Sequence, residues 1–391
     1  MQDTMHPHPD RILGCLLGGA IGDALGAPIE RLSWNDIRRR YGDEGIRGYV
    51  GGADTRGKIT AGTQLTLFTA HALVQSSVRA RARGIGGATL GILQATYLTW
   101  LRGQAGGMAP QPFSLGGWLA GEPAMTARRK PPRSCLSALE KAAERHSPGD
   151  PLGTPERPIN DSKGCGGVVR TAPCGFGAAS AEAAFDLGCR TAALTHGHPS
   201  GHLPGGVLAA TVWGLVHGRS LTAALEEACE QLRGRDGHEE TASAIEAAVE
   251  LADRGPSTPE RVESLGGGWT GEQALATALY VVLRAEEDIP EPGEQEWHPV
   301  PRPVRVASHA LLRSVNHSGD SDSVGAITGN LLGARYGSQV FPGHWQVCLE
   351  VRDTVLRVAA DCAVEFGMSP PTQPDGYGTP TREWMFRYPE A

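Results

Sequence analysis

Two rows of glycine constrain the fold more than any other feature of this sequence. The rows comprise Gly14, Gly18, Gly22 and Gly26 near the start of the chain, and Gly325, Gly329 and Gly333 near its end. A spacing of four residues places each row on one face of a helix, where each glycine costs up to about 1 kcal/mol relative to alanine. Two smooth helix faces can pack at short separation. We therefore predict that these two helices pack together; the alternative is that each row meets some other helix.

The rest of the chain shows helical periodicity, and strand-like alternation is nearly absent. Predicted helices include 206–216 and 345–365, whereas 287–302 is predicted to be a proline-rich connector. These patterns predict an all-α protein, a single large helical bundle with loops gathered at one end.

The domain organisation follows from length and composition. The 391 residues are 40% hydrophobic without an obvious break in composition, which suits one large domain spanning 1–391. We place its core at about 11–367 and a loop insertion at about 102–133. The C-terminal tail, 368–391, is expected to lie at the surface.

Charge and cysteine usage exclude several classes of function. The 36 basic and 43 acidic residues give a net charge of -7, which argues against binding a nucleic-acid backbone. The eight cysteines are scattered without a Cys-x-x-Cys pair, as expected for buried thiols in a reducing cytoplasm. The first residues lack the features of a signal peptide. The apolar stretch 12–29 contains Asp23 and five glycines, so no membrane span is expected.

A short acidic motif begins the second glycine-bearing helix. It consists of Asp320, Asp322 and Ser323, which together offer carboxylate and hydroxyl oxygens of the kind that Mg²⁺ prefers. The predicted helix contact would bring Asp23 and Glu30 close to this motif. The alternative is an acidic helix cap, because aspartate and serine are favoured at helix starts.

Two further segments are candidate binding sites. The glycine-rich segment 163–170 precedes an apolar run, and amides at a helix start can point at phosphate; the alternative is a tight turn. His196, His198 and His202 cluster at a helix end. With no carboxylate or thiolate nearby to complete a zinc site, substrate hydrogen bonding or helix capping is expected instead.

Taken together, these motifs resemble the ADP-ribosylglycohydrolase family over nearly the whole chain. The matching segments are 22–26 with Glu30, 59–64 at the position of a Thr-Asp-Asp-Thr motif, 164–173, Thr195 with His196, 265–269 with 274–280, and 320–323. The resemblance implies an all-α orthogonal bundle with a cleft that holds ADP-ribose beside a binuclear magnesium centre.

The resemblance also implies the metal ligands. They map to Thr60, Asp320, Asp322 and Ser323, but Ala61 and Gly62 stand where the family has two aspartates. Two divalent ions need several anionic ligands to offset their mutual repulsion, so one Mg²⁺ ion is expected and a second is doubtful. Asp54 is a candidate surrogate ligand because it lies close by in the sequence.

The remaining roles follow from the same resemblance. Glu30 and Asp320 are expected to be catalytic, and Trp118 or Phe113 is a candidate for stacking on adenine. The expected substrate-binding residues are Asp23, Ser162, Gly164, Gly166 and His196. The expected function is magnesium-dependent hydrolysis of the glycosidic bond of an ADP-ribosylated substrate, by a monomer or small homo-oligomer. The alternative is a catalytically weakened or silent protein that binds ADP-ribose, because the two aspartates are missing.

Overall fold

The computed structural model describes residues 6–52, 54–104, 117–144, 150–289 and 299–389. These residues form helices joined by turns and short 3-10 segments, without a β-strand in the described ranges, and the all-α prediction is confirmed. The helices are α1 (Pro9–Gly26), α2 (Trp34–Tyr41), α3 (Ala61–Arg83), α4 (Thr89–Gln104), α5 (Pro123–Thr126), α6 (Arg133–Glu144), α7 (Ala181–Ala193), α8 (Pro199–Val216), α9 (Leu221–Arg233), α10 (Glu239–Ala252), α11 (Pro259–Ser264), α12 (Gly271–Arg284), α13 (Arg302–Val315), α14 (Ser321–Tyr336), α15 (Gly343–Val347), α16 (Arg352–Glu365) and α17 (Arg382–Arg387).

The two glycine rows face each other across an antiparallel contact between α1 and α14, which confirms the prediction. A Cβ atom added to Gly22 would lie 1.9 Å from the carbonyl oxygen of Gly325. A Cβ atom on Gly18 would lie 2.2 Å from the carbonyl oxygen of Gly329. Real Cβ atoms do not approach backbone this closely, so the two helix backbones are in direct contact and no larger residue fits between them. We call this contact the glycine seam.

The glycine seam also sets where the acidic residues lie. At its end, a Cβ atom on Gly26 would lie 2.3 Å from the amide nitrogen of Asp322. The last turn of α1 therefore rests on the first turn of α14. Because Asp23 lies in that last turn and Glu30 in the turn that follows, both are carried to the start of α14.

Several helix boundaries differ from the sequence prediction. α8 begins at Pro199, seven residues before the predicted start at 206, with the His198 side chain accepting a hydrogen bond from the Ser200 amide. The helix predicted over 345–365 is divided into α15 and α16. The division occurs because the Glu350 amide donates to the carbonyl of Gly57, on another segment, at 3.0 Å.

The prediction of a surface tail is wrong for its last turn. Tyr388 is 1% exposed, and its hydroxyl donates to the Asp361 carboxylate. The Trp384 indole donates to Glu365 at 2.8 Å, so α17 packs on α16.

The helix α13 was not predicted, because it begins directly after the proline-rich connector. The cysteines are free thiols and most are buried, but Cys348 is exposed. In the described ranges, no helix is both long and apolar enough to cross a membrane.

The substitution Gly22→Ala tests the glycine seam. Helix propensity alone would stabilise the alanine variant by about 1 kcal/mol. The added Cβ would instead push the Gly325 backbone away, so we expect the free energy of unfolding to fall by about 3 kcal/mol or more. Gly343→Ala is the matched control, because no atom lies within 4 Å of its added Cβ. Urea unfolding of both variants provides the measurement. Equal unfolding midpoints for Gly22→Ala and Gly343→Ala would contradict the close backbone contact in the glycine seam.

Candidate active site

A cleft of about 240 Å³ opens at the end of the glycine seam. The sequence-predicted residues that line it are Asp23, Glu30, Thr60, Gly164, Gly166, His196, Asp320, Asp322 and Ser323. Ser162 lies just behind this lining, where its hydroxyl accepts a hydrogen bond from the Gly164 amide at 3.4 Å. The structure thus brings together residues that are spread over nearly 300 positions of the sequence.

The acidic motif forms the first turn of α14. Asp320 is the N-cap residue, and its Oδ1 accepts a hydrogen bond from the Ser323 amide at 3.3 Å. Oδ1 of Asp322 accepts from the same amide at 3.0 Å. The Asp320 backbone is fixed from outside the helix, because its amide donates to the Gly267 carbonyl at 2.8 Å. The acidic motif therefore does cap the helix, as the alternative interpretation proposed. Capping nevertheless leaves one oxygen of each carboxylate without a backbone partner.

The thiol of Cys165 is a neighbour that sequence reasoning missed. Its Sγ donates to Oδ2 of Asp320 at 2.8 Å and lies 3.5 Å from Oγ of Ser323. Burial and the adjacent Asp320 carboxylate raise the pKa of this thiol well above its ordinary value. Cys165 is therefore a neutral donor that orients Asp320.

The electrostatics of the cleft favour a bound cation. The pKa of Asp322 is raised well above its usual range, first by burial and then by the negative charges of Asp320, Asp23 and Glu30. In the described ranges, no three His, Cys, Asp or Glu side chains are grouped closely enough to hold a metal ion. The donors available here are two carboxylates, Asp320 and Asp322, together with hydroxyls. Hard oxygens in a cluster of like charges fit Mg²⁺ better than a softer ion.

Asp23 is buried and holds the start of α3. Its carboxylate accepts hydrogen bonds from the Thr60 amide at 2.8 Å, from the Thr60 hydroxyl at 2.6 Å and from the Thr63 hydroxyl. Burial raises the pKa of Asp23, and these hydrogen bonds oppose the shift. Thr60 is the N-cap of α3 and also accepts from the Gly62 amide. Asp23 therefore acts by positioning Thr60, which lines the cleft.

No carboxylate replaces the two missing aspartates from within α3. Ala61 is 1% exposed, and its amide donates to the Arg129 carbonyl at 2.9 Å. A Cβ on Gly62 would lie 3.1 Å from Cγ1 of Val169, so a side chain there would need a small shift. Asp54, the candidate surrogate, lines a neighbouring cavity that shares Thr60 with the cleft and does not line the cleft itself.

Two cations hold Glu30. Lys130 donates to Glu30 Oε2 at 3.0 Å and to the carbonyl of Ala27 at 3.0 Å, and Arg31 pairs with Glu30 Oε1 at 3.2 Å. Arg31 and Lys130 are also the non-glycine residues of the described ranges with positive φ, at 68° and 47°. This conformation is uncommon outside glycine and costs free energy. Backbone strain is therefore concentrated at the two cations that fix the Glu30 carboxylate.

The glycine-rich loop and His196 form the opposite wall. The expectation of a helix start is only partly met, because the loop leads into a single 3-10 turn at Val168–Arg170. A Cβ on Gly166 would lie 3.3 Å from Cε1 of His196 and a Cβ on Gly164 3.5 Å from its Nε2. The glycines thus keep the imidazole open to the cleft. Among the described residues, the Gly166 amide has no hydrogen-bond acceptor.

His196 is neutral and its orientation is fixed by a buried arginine. Burial, together with the positive charge of Arg170, lowers the pKa of His196 to about 3. Arg170 donates to the Thr195 hydroxyl at 2.7 Å, and that hydroxyl lies 2.8 Å from Nδ1 of His196. Because the Thr195 hydroxyl oxygen accepts a hydrogen bond from Arg170, the hydroxyl can donate its own proton to Nδ1 of His196. This arrangement leaves the imidazole proton on Nε2, facing the cleft.

The aromatic side chain that lines the cleft among the described residues is Trp269, and of the two candidates for stacking on adenine Trp118 lies elsewhere. Trp118 packs against His71 and beneath Arg357, whose guanidinium carbon lies 3.8 Å from the ring centroid, and it does not line the cleft. Phe113 falls outside the described residues. Trp269, which is 43% exposed, stands at the cleft beside Arg31. The three glycines before Trp269 predict a tight turn, but this pattern gives no indication that Trp269 lines a cleft.

Comparison with known proteins identifies the class. The sequence profile of the ADP-ribosylglycohydrolase family matches residues 4–371. The chain therefore belongs to the ADP-ribosylglycohydrolase family, whose members are hydrolases that act on glycosidic bonds.

Individual relatives agree with this assignment. The ADP-ribosyl-(dinitrogen reductase) glycohydrolase of Rhodospirillum rubrum is 24% identical over 351 residues, covering 88% of this chain and 91% of that protein. The ADP-ribosylhydrolase ARH3 of Bos taurus is 27% identical over 208 residues, covering 48% of this chain and 54% of that protein. A solved structure described as an ADP-ribosylglycohydrolase-related protein complex has a TM-score of 0.58 at 24% identity, covering 90% of this chain and 97% of that one. That likeness shows the fold.

The substitution Asp322→Asn tests whether the carboxylates are arranged for a cation. Without metal, removing one of several crowded charges should raise the free energy of unfolding by about 1 kcal/mol or more, which for a chain of this length raises the melting temperature by roughly 1–2 °C or more. With excess magnesium, the wild-type protein should gain stability by ligand binding and the variant should gain much less. Thermal unfolding in chelator and in magnesium measures both effects. Asp54→Asn, an exposed control, should change neither; a lower melting temperature for Asp322→Asn in chelator would refute the interpretation.

Proposed function

We propose that this protein hydrolyses the glycosidic bond of an ADP-ribosylated substrate with the help of one magnesium ion. The observation that carries the proposal is the convergence of Asp320, Asp322, Ser323 and Thr60 beside Glu30, opposite the glycine-rich wall. These residues supply hard oxygen ligands and one further carboxylate in a single cleft. Membership of the family and the named activities of its relatives support the reaction class.

The wall formed by Gly164, Gly166 and His196 is proposed to hold the diphosphate and its adjoining ribose. The open Gly166 amide and the Nε2 proton of neutral His196 are donors, and phosphate oxygens are acceptors. Trp269 stands at the mouth of the cleft, where its exposed ring offers a stacking surface for adenine. Ser162 supports this wall from behind through its contact with Gly164.

The distal ribose is proposed to lie between Glu30 and the acidic motif. Mg²⁺ held by Asp320, Asp322, Ser323 and Thr60 would supply Lewis-acid polarisation and orient the ribose hydroxyls. Glu30 would accept a proton from water as the water oxygen bonds to the anomeric carbon. The bond from that carbon to the acceptor breaks, and the acceptor leaves with the bonding electrons and takes up the proton that Glu30 had accepted, which returns Glu30 to its carboxylate form. The Glu30 carboxylate would also stabilise the positive charge that develops on the anomeric carbon.

A second candidate function is the binding of ADP-ribose without turnover. Ala61 and Gly62 favour it, because the site lacks two carboxylates that the family motif provides. The hydrogen bonds that Thr60 and Thr63 donate to Asp23, and the ion pair of Glu30 with Lys130, favour hydrolysis instead, because simple binding does not require either.

Calorimetric titration with ADP-ribose provides the first test. We expect binding at least ten-fold tighter with magnesium than with chelator, since the cation would bridge the carboxylates and the ribose hydroxyls. Asp320→Asn should abolish the magnesium effect, and Asp43→Asn, at an exposed carboxylate, should retain it. The same protein is then assayed on ADP-ribosyl-arginine, ADP-ribosyl-serine and O-acetyl-ADP-ribose. Magnesium-dependent binding without turnover of any of these would leave only the binding function.

Restoring the missing carboxylates separates the two functions directly. The double variant Ala61→Asp with Gly62→Asp should bind a second ion, because two added charges offset the repulsion between ions. If the natural protein is a hydrolase, it turns over slowly and the double variant at least ten-fold faster. The matched control is Ala61→Asn with Gly62→Asn, which adds similar volume without charge and should give no increase. Turnover that appears only in the aspartate variant would show that the natural protein is a binder.

A further inference from the structure

A second cavity, of about 460 Å³, opens beside the cleft. Thr60 and Lys130 line both, so the two spaces meet at these residues. We call this space the basic cavity, because Lys58, Arg128, Arg129 and Lys130 all line it. Neither the glycine-rich wall nor Trp269 contributes to its lining.

The cations of the basic cavity are only partly neutralised. Arg129 pairs with Glu350 at 2.5 Å, and Lys130 pairs with Glu30 at 3.0 Å. Lys58 and Arg128 form no ion pair with any residue in the described ranges, and the exposed Asp54 is the acidic residue of the lining. Four cations around one cavity do not follow from composition, since the chain carries a net charge of -7. Local positive charge of this kind attracts anions.

The location of the basic cavity relates it to the proposed reaction. With the nucleotide on the glycine-rich wall and the distal ribose beside Glu30, the cavity would adjoin the ribose, because Lys130 lines it and pairs with Glu30 whereas the glycine-rich wall does not line it. The group attached to the anomeric carbon is the acceptor, and the cavity offers space for it next to the ribose. Lys130 adopts positive φ at this boundary and donates to both Glu30 and the Ala27 carbonyl.

The geometry points to the basic cavity as the acceptor subsite, binding a phosphate group of the acceptor. This inference rests on the proposed function, because it assumes that the nucleotide occupies the glycine-rich wall. A phosphate monoester carries a charge of about -1.5 to -2 near pH 7, which matches the two cations without ion pairs. A carboxylate would neutralise only one of them. A guanidinium acceptor would be repelled by the positive charges of Lys58 and Arg128.

Anion binding tests the cavity without requiring turnover. Inorganic phosphate is titrated into the full chain in the presence of chelator and saturating ADP-ribose, which keeps the nucleotide wall occupied. We expect phosphate to bind, and to bind at least ten-fold more weakly to the double variant Lys58→Gln with Arg128→Gln. Arg38→Gln with Arg39→Gln removes two exposed charges that line neither cavity and should leave binding unchanged. Acetate, titrated in the same way, should bind more weakly than phosphate.

A comparison of hydrolysis rates for two substrates is the second test of the basic cavity. The wild-type protein should hydrolyse ADP-ribose 1″-phosphate with a kcat/KM at least ten-fold higher than that for ADP-ribosyl-arginine, and the Lys58 and Arg128 double variant should lose that preference. Equal phosphate binding in the double variant, or acetate binding as tightly as phosphate, would overturn the inference. Phosphate binding that depends on Lys58 and Arg128, without hydrolysis of these two substrates, of ADP-ribosyl-serine or of O-acetyl-ADP-ribose, would preserve the anion site and reject the hydrolase function.

Discussion

The active site depends on the glycine seam between α1 and α14. Because these helices touch through backbone atoms, their relative position cannot be adjusted by changing side-chain rotamers. The contact at Gly26 fixes the distance between the end of α1 and the first turn of α14. Asp23 transmits this position to Thr60 through its hydrogen bonds. The hydroxyl from α3 and the carboxylates from α14 are therefore held by one rigid contact, as precise ligand placement requires.

Features with local periodicity could be predicted from the sequence, and contacts between distant segments could not. The glycine rows and the acidic motif are visible because a helix repeats its faces at a known spacing. The roles of Lys130 and Cys165 depend on partners 100 and 155 positions away along the chain, Glu30 and Asp320 respectively. No spacing rule links such pairs. Tyr388 was misplaced at the surface for the same reason, since its burial depends on Asp361 in another helix.

The charge balance of the cleft supports one cation where the family motif provides for two. Lys130 and Arg31 neutralise Glu30, and Asp23 is stabilised by neutral donors from Thr60 and Thr63. With a divalent ion bound, the remaining carboxylates, Asp320 and Asp322, would supply two negative charges, which the ion would neutralise. A second divalent ion would add positive charge without a ligand to offset it, given Ala61 and Gly62 in place of acidic residues. The absence of the two carboxylates is thus consistent with a site that binds one divalent ion with fewer negatively charged ligands.

The cleft and the basic cavity beside it differ in how they could recognise a substrate. The wall proposed to hold the nucleotide presents neutral groups, namely the Gly166 amide, the His196 imidazole and the Trp269 ring. Neutral donors and a stacking surface would bind any ADP-ribose equally, so they would not distinguish one acceptor from another. The basic cavity presents Lys58 and Arg128 as charges without ion-pair partners in the described ranges. Because uncompensated charge discriminates strongly between anionic and cationic groups, the proposed function would have selection between acceptors arise in the basic cavity.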